Sequence, residues 1–350
     1  MFNKKDYFCR NILDSKSAIY FKKNKKMTNK IVTIFTFICY LFLNPGCTKA
    51  GVEGNVEASD LLKMLSKGKD IVMKEKIIKG DLNFTTLKEL EHVESSKSIS
   101  ISISSSIVFI NCSFEGKLIG YNVKKIDEKK TIVYLTRFKE NITFVNCEFK
   151  DVVDLNEIIV DGSLEFNGSN FHKTASFEGA NFRGREIQFM ETTFKDDALF
   201  NRVKFENTAD FMRTTFTGNA GFQAAEFKGE VQFGVAKFQK YADFTNSEFS
   251  SGSFFQYAEI GRGSFNGSIF RGRVDFSEIK FIGDIEMQRV TFYGKTKFSK
   301  SSIQSKFDLE NSVFMMGKPE IKDLKKETNC KINLTNTIYF QSVPFKTEDF

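Results

Sequence analysis

The sequence predicts an all-β protein whose chain coils on itself in short, regular strands, and two observations carry that expectation. Phenylalanine supplies 41 of the 350 residues, and over most of the chain it returns on a strict beat: Phe205, Phe211, Phe216, Phe222, Phe227, Phe233, Phe238, Phe244 and Phe249 follow one another at steps of 6, 5, 6, 5, 6, 5, 6 and 5. Two residues before each stands a smaller one, in order Val203, Ala209, Thr214, Ala220, Ala225, Val231, Ala236, Ala242 and Ser247. In extended backbone, residues i and i−2 point to the same side, so each short segment turns one small and one large side chain inward. A helix repeats at 3.6 residues and a flat amphipathic strand at 2.0, and neither period places one residue type on one face at this spacing. The residues between, such as Lys204, Asp210, Arg213, Glu226 and Lys228, are polar and face water.

The beat extends in both directions. From Phe166 to Phe314 there are 28 such centres, 24 of them Phe and the others Ile260, Met287, Ile303 and Leu309. Upstream it passes through Phe138, Phe144, Phe149, Leu155 and Val160. The phase slips twice, by one residue too many across GREIQ (184–188) and one too few across GRGSFNG (261–267). Both slips hold glycines, which tolerate the dihedrals of a bulged or tightened corner. A unit this small cannot bury its own apolar face, so units must stack on neighbours as a repeat architecture. Prolines occur only at Pro45, Pro319 and Pro344 and leave the main ladder uninterrupted.

Segments such as ASFEGANF, ADFMRTTF and ADFTNSEF resemble the pentapeptide-repeat family, whose unit reads small residue, polar residue (often Asp or Asn), Leu or Phe, then two variable residues. The resemblance runs from about residue 78 to 315. It implies a right-handed, four-sided (quadrilateral) β-helix with one unit per side, here in the Phe-rich form whose alternate six-residue units lengthen the coil to about 22 residues. Residues 22 apart then lie over one another at the strand spacing of roughly 4.8 Å. Phe205 is expected to sit over Phe227 and Phe249 in one column, and Phe211 over Phe233 and Phe255 in another. The β-helix is assigned to 77–316.

Upstream of it, residues 1–46 read as a basic segment plus a signal peptide, with Met27 as an alternative start. Residues 31–43 form an unbroken apolar run of 13, a length that suits a signal-peptide core and is short for a membrane span. Cys47 after Gly46 resembles the lipid-accepting cysteine of bacterial lipoproteins. Cleavage after Ala50 and retention as an uncleaved anchor are the other readings. Residues 47–57 read as a tether. In 58–76, ASDLLKMLSKGKD predicts a short helix with Ser59 as N-cap, Leu61, Leu62 and Leu65 on one face and Gly68 as stop, placed to cover the open first coil.

Within the body, IIKGDLNF brings in the first inward pair, Leu82 and Phe84, and the alternation of SISISI predicts a strand with Ile99, Ile101 and Ile103 facing in. The near-identical segments IVFINCSF (107–114) and ITFVNCEF (142–149) lie 35 residues apart, one 22-residue coil plus a 13-residue insertion at 121–133. That lysine-rich insertion is expected to protrude as a loop. On this register Cys112 and Cys147 occupy equivalent inward positions on adjacent coils, near enough for a disulfide and equally suited to being buried free thiols. Residues 317–350 read as a last partial coil or terminal cap in which the beat pauses at KPEIKDLKKE and resumes at Ile332/Leu334, Thr337/Tyr339 and Val343/Phe345. The family resemblance adds that this end could pair with another copy as a homodimer.

Charge and chemistry narrow the function. The chain carries a net charge of +7, but 9 of its 51 basic and 2 of its 44 acidic residues fall in 1–46, which leaves 42 of each. A nucleic-acid footprint needs a basic surplus and a DNA mimic an acidic one; the body has neither. The only histidines are His92 and His172, no C-x-x-C pair exists, and the paired carboxylates Asp196 and Asp197 occupy outward positions. No catalytic residue, metal ligand or cofactor is called for. The leading expectation is a non-catalytic exported protein, membrane-tethered through a lipid or signal anchor, that offers a β-helical scaffold or binding surface to a protein partner. A cytoplasmic binding module like the DNA-mimicking family members that protect topoisomerases is the first alternative. A polysaccharide-active or polysaccharide-binding β-helix is the second.

Overall fold

A computed structural model describes residues 54–87, 92–94, 98–126, 131–339 and 343–344. Short strands follow one another and pair in parallel with the strand one coil away: Ala209 with Val231, Phe216 with Phe238, Ala220 with Ala242, and Phe205 with Phe227, each 22 residues on. These four pairings mark four sides, here called the first (Phe211, Phe233), second (Phe216, Phe238), third (Phe222, Phe244) and fourth (Phe205, Phe227). The body is thus a four-sided parallel β-solenoid of about 12 coils at about 22 residues per turn, with one short helix near its N-terminal end.

Every centre from Phe166 to Phe314 is at most 2% exposed, and the small positions between them are buried as well. Rings of one side stack face to face along the coil axis. Phe205, Phe227 and Phe249 follow at 4.9 and 4.8 Å, and Phe211, Phe233 and Phe255 at 5.0 and 4.9 Å. Between sides the rings meet edge to face, as Phe222 does with Phe233 at 5.5 Å and 83°. Offset stacks within a column and edge contacts between columns are the two arrangements the ring quadrupole favours, so one residue type satisfies both directions of packing.

The alternation of five and six arises from two kinds of corner. At each five-residue step, from first to second side and from third to fourth, the residue two past the centre is left-handed; Arg213, for example, has φ 57°. The N–H three past the centre returns to the centre's carbonyl, as Thr214 does to Phe211 at 3.1 Å, which closes a β-turn with the positive φ of type II at its third residue. The six-residue corners have no left-handed residue. There the coils press together, and a Cβ on Gly229 would fall 2.3 Å from the carbonyl carbon of Asn207. The two slips are real changes of coil length. Leu164 pairs with Ile187, 23 residues on, and Ala242 with Gly263, 21 on. The short coil is absorbed between Phe238 and Tyr241, where the register shifts and Gly261 lies so close that a Cβ would sit 2.6 Å from the Gln239 carbonyl oxygen.

The ends depart from the regular coil in instructive ways. Asn55–Glu57 is a strand paired in parallel with Ile77–Lys79, and helix α1 (Ala58–Ser66) follows it directly. The N-cap is therefore Glu57, not Ser59: strand pairing fixes extended backbone up to residue 57 and draws Ser59 into the first helical turn. Leu61 and Leu65 are fully buried, Leu62 partly, and Gly68 ends the helix at φ +66° with its N–H on the Leu65 carbonyl. The first rung comes before residue 77, since Ile71–Lys74 pairs with Ile107–Ile110. In Ser98–Ile103, Ile101 and Ile103 are fully buried and Ile99 partly.

The insertion is a β-hairpin rather than a loop: Tyr121–Lys125 runs antiparallel to the first part of Thr131–Phe138. It leaves the coil in register, because Ile107–Ile110 stacks on Ile142–Val145. At the other end KPEIKDLKKE is not a pause in the backbone. Lys325–Lys326 pairs with Ser302–Ile303, Lys331–Asn333 with Lys306–Asp308, and Ile338–Tyr339 with Val313–Phe314. The beat does not continue at Val343, because Val343–Pro344 turns back antiparallel to Ile338–Tyr339. A returning strand takes up hydrogen bonds that the last parallel rung would otherwise leave open. Phe345 lies outside the described residues.

Candidate functional site: the outward faces

Core demands determine what remains on the surface. Each turn leaves the N–H of the residue after the centre without a neighbour in its own strand, and outward polar side chains take it. An Asp one place before the centre accepts it locally: Asp210 Oδ1 from Met212 N at 2.8 Å, Asp243 from Thr245 at 2.9 Å, Asp275 from Ser277 at 2.9 Å. An Asn one place after the centre accepts it from the next coil instead: Asn156 from Glu178 at 2.9 Å, Asn201 from Gln223 at 3.0 Å, Asn266 from Gln288 at 2.8 Å. These contacts give the repeat its polar position. Burial raises the Asp154 and Asp210 carboxyls, with the N–H bond acting in the opposite direction. At Asp308, which is 1% exposed, burial also opposes ionisation. Lys306 at 2.9 Å and the donors Glu310 N and Gln288 overcome it and hold the carboxyl below its ordinary value.

Charges are paired from coil to coil within a face. Lys204 lies 2.9 Å from Glu226, Lys228 2.8 Å from Glu206, Arg271 2.6 Å from Glu248 and Lys280 2.7 Å from Glu259. Exposed pairs of this kind add little stability; their consequence is that charge is balanced locally. His172 sits in such a cluster, between Glu148 and Lys195. Asp196 and Asp197 bond Thr174 and Asn219 along the same ladder.

The sequence of alternating Phe and small residues, one unit per side, matches a family model described as pentapeptide repeats (9 copies) at residues 155–204 and 233–280. Those two stretches are pentapeptide repeats. A search of curated proteins finds no match to the chain. The 23-residue coil lies inside the first matched span and the 21-residue coil inside the second, and the units of 205–232 between them keep the same pattern.

Phe205, Phe211, Phe216, Phe222, Phe227, Phe233, Phe238, Phe244 and Phe249 are all in the core. Cys112 and Cys147 are both buried free thiols on adjacent coils. Burial pushes Cys147 well up, while the hydrogen bond with Cys147 holds Cys112 down at about 7. Cys47 and the segment 1–46 lie outside the described residues. Among the described residues no helix is long and apolar enough to cross a membrane, and no group of His, Cys, Asp and Glu is arranged to hold a metal ion. Sequence reasoning missed two surface features. Phe254 stands outward beside inward Phe255, covered to 8% exposure by the Arg273 guanidinium 4.7 Å above its ring. The left-handed corners form two ridges of one residue per coil, and their signal was the recurrence of Asn146, Gly168, Gly179, Asn246, Gly267 and Asn311 near multiples of 11.

Proposed function

We propose that the protein is a non-catalytic, exported β-helical scaffold, held at a membrane by a lipid on Cys47 or by the uncleaved apolar run 31–43, which presents preformed outward faces to protein partners. The observation that carries this reading is the fixing of outward polar side chains by coil-to-coil bonds such as Asn201 to Gln223 N and Asn266 to Gln288 N. A surface whose side chains are already ordered loses little entropy when it is covered, which favours binding through preorganisation. Coil-to-coil pairing of Lys and Arg with Glu keeps both signs of charge interspersed, which supports a protein-binding surface over the acidic field of a DNA mimic. Support for the tether is the apolar run followed by Gly46 and Cys47.

Fractionation tests the tether. Wild type is expected in the membrane fraction and Cys47→Ser in the soluble one. Unchanged partitioning of the variant counts against Cys47 as anchor, and recovery of wild type from the cytosol with its N-terminus intact overturns the exported reading altogether.

A further inference from the structure

On the corner between the first and second sides, where one left-handed residue stacks per coil, six run in succession between Gly168 and Asp323: Glu191, Arg213, Val235, Tyr257, Glu278 and Lys300, with φ from 57° to 61°. The N–H of each of the first five bonds to the carbonyl just before the next, at 3.0, 2.9, 2.9, 3.3 and 3.0 Å, so their side chains line a single ridge along the coil. The outer four are charged, as suits a turn position in water. The central two are apolar and open, Val235 at 40% and Tyr257 at 56% exposure. For Val235 the position is doubly unfavourable, since a β-branched residue is a genuine outlier at positive φ and gains nothing from water. The ladder imposes the left-handed φ at every such corner; what sets this pair apart is two adjacent apolar side chains left open to water, which points to something outside the chain.

Read along the coil the ridge runs negative, positive, apolar, apolar, negative, positive. Turned end for end about the point between Val235 and Tyr257, it complements itself: Arg213 of one copy meets Glu278 of the other, Glu191 meets Lys300, and Val235 meets Tyr257. In the neighbouring outward row the pair adjacent to that midpoint, Lys237 and Glu259, follows the same rule, and the residues beyond it do not oppose it with like charges. A parallel side-by-side arrangement would instead set every charge against its own kind. We infer that a second copy of this chain docks antiparallel along this ridge, about a two-fold axis crossing it between Val235 and Tyr257. Contacts within each copy hold the charges in position: Arg213 lies 3.2 Å from Glu191, Lys300 4.0 Å from Glu278, and the Tyr257 hydroxyl donates to Glu278 at 3.1 Å. Six rungs at roughly 4.8 Å span only about 24 Å, less than a standard stable interface, so the association is of the weak, concentration-dependent class.

Sedimentation velocity of the full chain between about 10 µM and about 1 mM, the range of such affinities, tests the arrangement. Wild type is expected to move from monomer toward dimer across it. Arg213→Glu and Glu278→Arg are each expected to weaken self-association by at least about tenfold, with melting temperatures near wild type that show the coil intact. An equimolar mixture of the two single variants should associate like wild type, since each carries the charge the other lacks, and the double variant should do so alone. Monomeric wild type at every concentration overturns the inference. So does a dimer indifferent to both single variants, which would place the contact elsewhere, or a mixture that fails to associate.

Discussion

Thr214 donates its side-chain hydroxyl to the carbonyl oxygen of Phe189, 2.7 Å away and one coil below, from a position with no exposure to water. The same bond recurs from Thr192 to Phe166, Ser247 to Phe222 and Ser301 to Phe276, at 2.8, 2.6 and 2.6 Å. These four hydroxyls therefore stand at inward positions without being unsatisfied there, unlike Ser253 Oγ, which has no partner. Thr214→Val keeps the shape and removes the bond, while the Phe189 carbonyl keeps the N–H of Thr192 at 3.2 Å. The expected loss is about 0.5–1.5 kcal/mol, read from denaturant midpoints at constant slope. A loss as large as that of a core truncation would show that the hydroxyl does more than this one bond.

Phe222 stacks on Phe200 at 5.0 Å and on Phe244 at 4.9 Å, and meets Phe211 and Phe233 edge on at 5.5 Å each. Truncation leaves a hole in a column whose neighbours are fixed by the backbone ladder and cannot collapse into it. Phe222→Ala is expected to destabilise by about 3–5 kcal/mol. A melting temperature indistinguishable from wild type would refute the packing of this column.

Coil length, both slips and the stacking partners were legible because an inward Phe every five or six residues permits only one way of coiling. The helix was legible for the same reason, through Leu61 and Leu65. Its cap was not, because the long-range pairing of Asn55–Glu57 with Ile77–Lys79 decided where the helix began and overrode the local preference of Ser59. The hairpin at 121–135 was hidden by its lysines, which suit an exposed edge strand as well as a loop. Hidden most deeply were the left-handed corners. Glu191, Arg213, Val235 and Tyr257 carry no turn signature, since the ladder on either side imposes a conformation their own preferences oppose.

That imposed conformation can be relieved. An L-residue in the left-handed region costs about 1–2 kcal/mol, and glycine at such a site gives back roughly 0.5–1 kcal/mol through its greater freedom when unfolded. Arg202→Gly, at φ 57° on the opposite ridge, is expected to be neutral to stabilising by up to about 1 kcal/mol. Val235→Gly, at φ 61°, should gain more because of its branched Cβ. Thermal unfolding at dilute protein, where copies are apart, compares them; a loss at both sites would mean the corners are not under strain.

Asp210 gives a dependence on pH of defined sign. Burial lifts its carboxyl above the ordinary value, the Met212 N–H bond opposing. A folded value above the unfolded one means that the folded state holds the proton more tightly. Its favourable contribution is complete below the unfolded value, near 3.9, and is lost as pH rises through the folded one. At neutral pH the ionised group is thus a liability offset only by its bond to Met212. Asp210→Asn keeps an acceptor oxygen for that N–H and removes the charge. The variant is expected to melt above wild type at pH 7, with the difference closing as pH falls toward 3, where the wild-type carboxyl is itself neutral. Melting curves of both proteins across that range decide the matter: a difference that widens in acid would mean the carboxylate is stabilised by the fold rather than penalised by it.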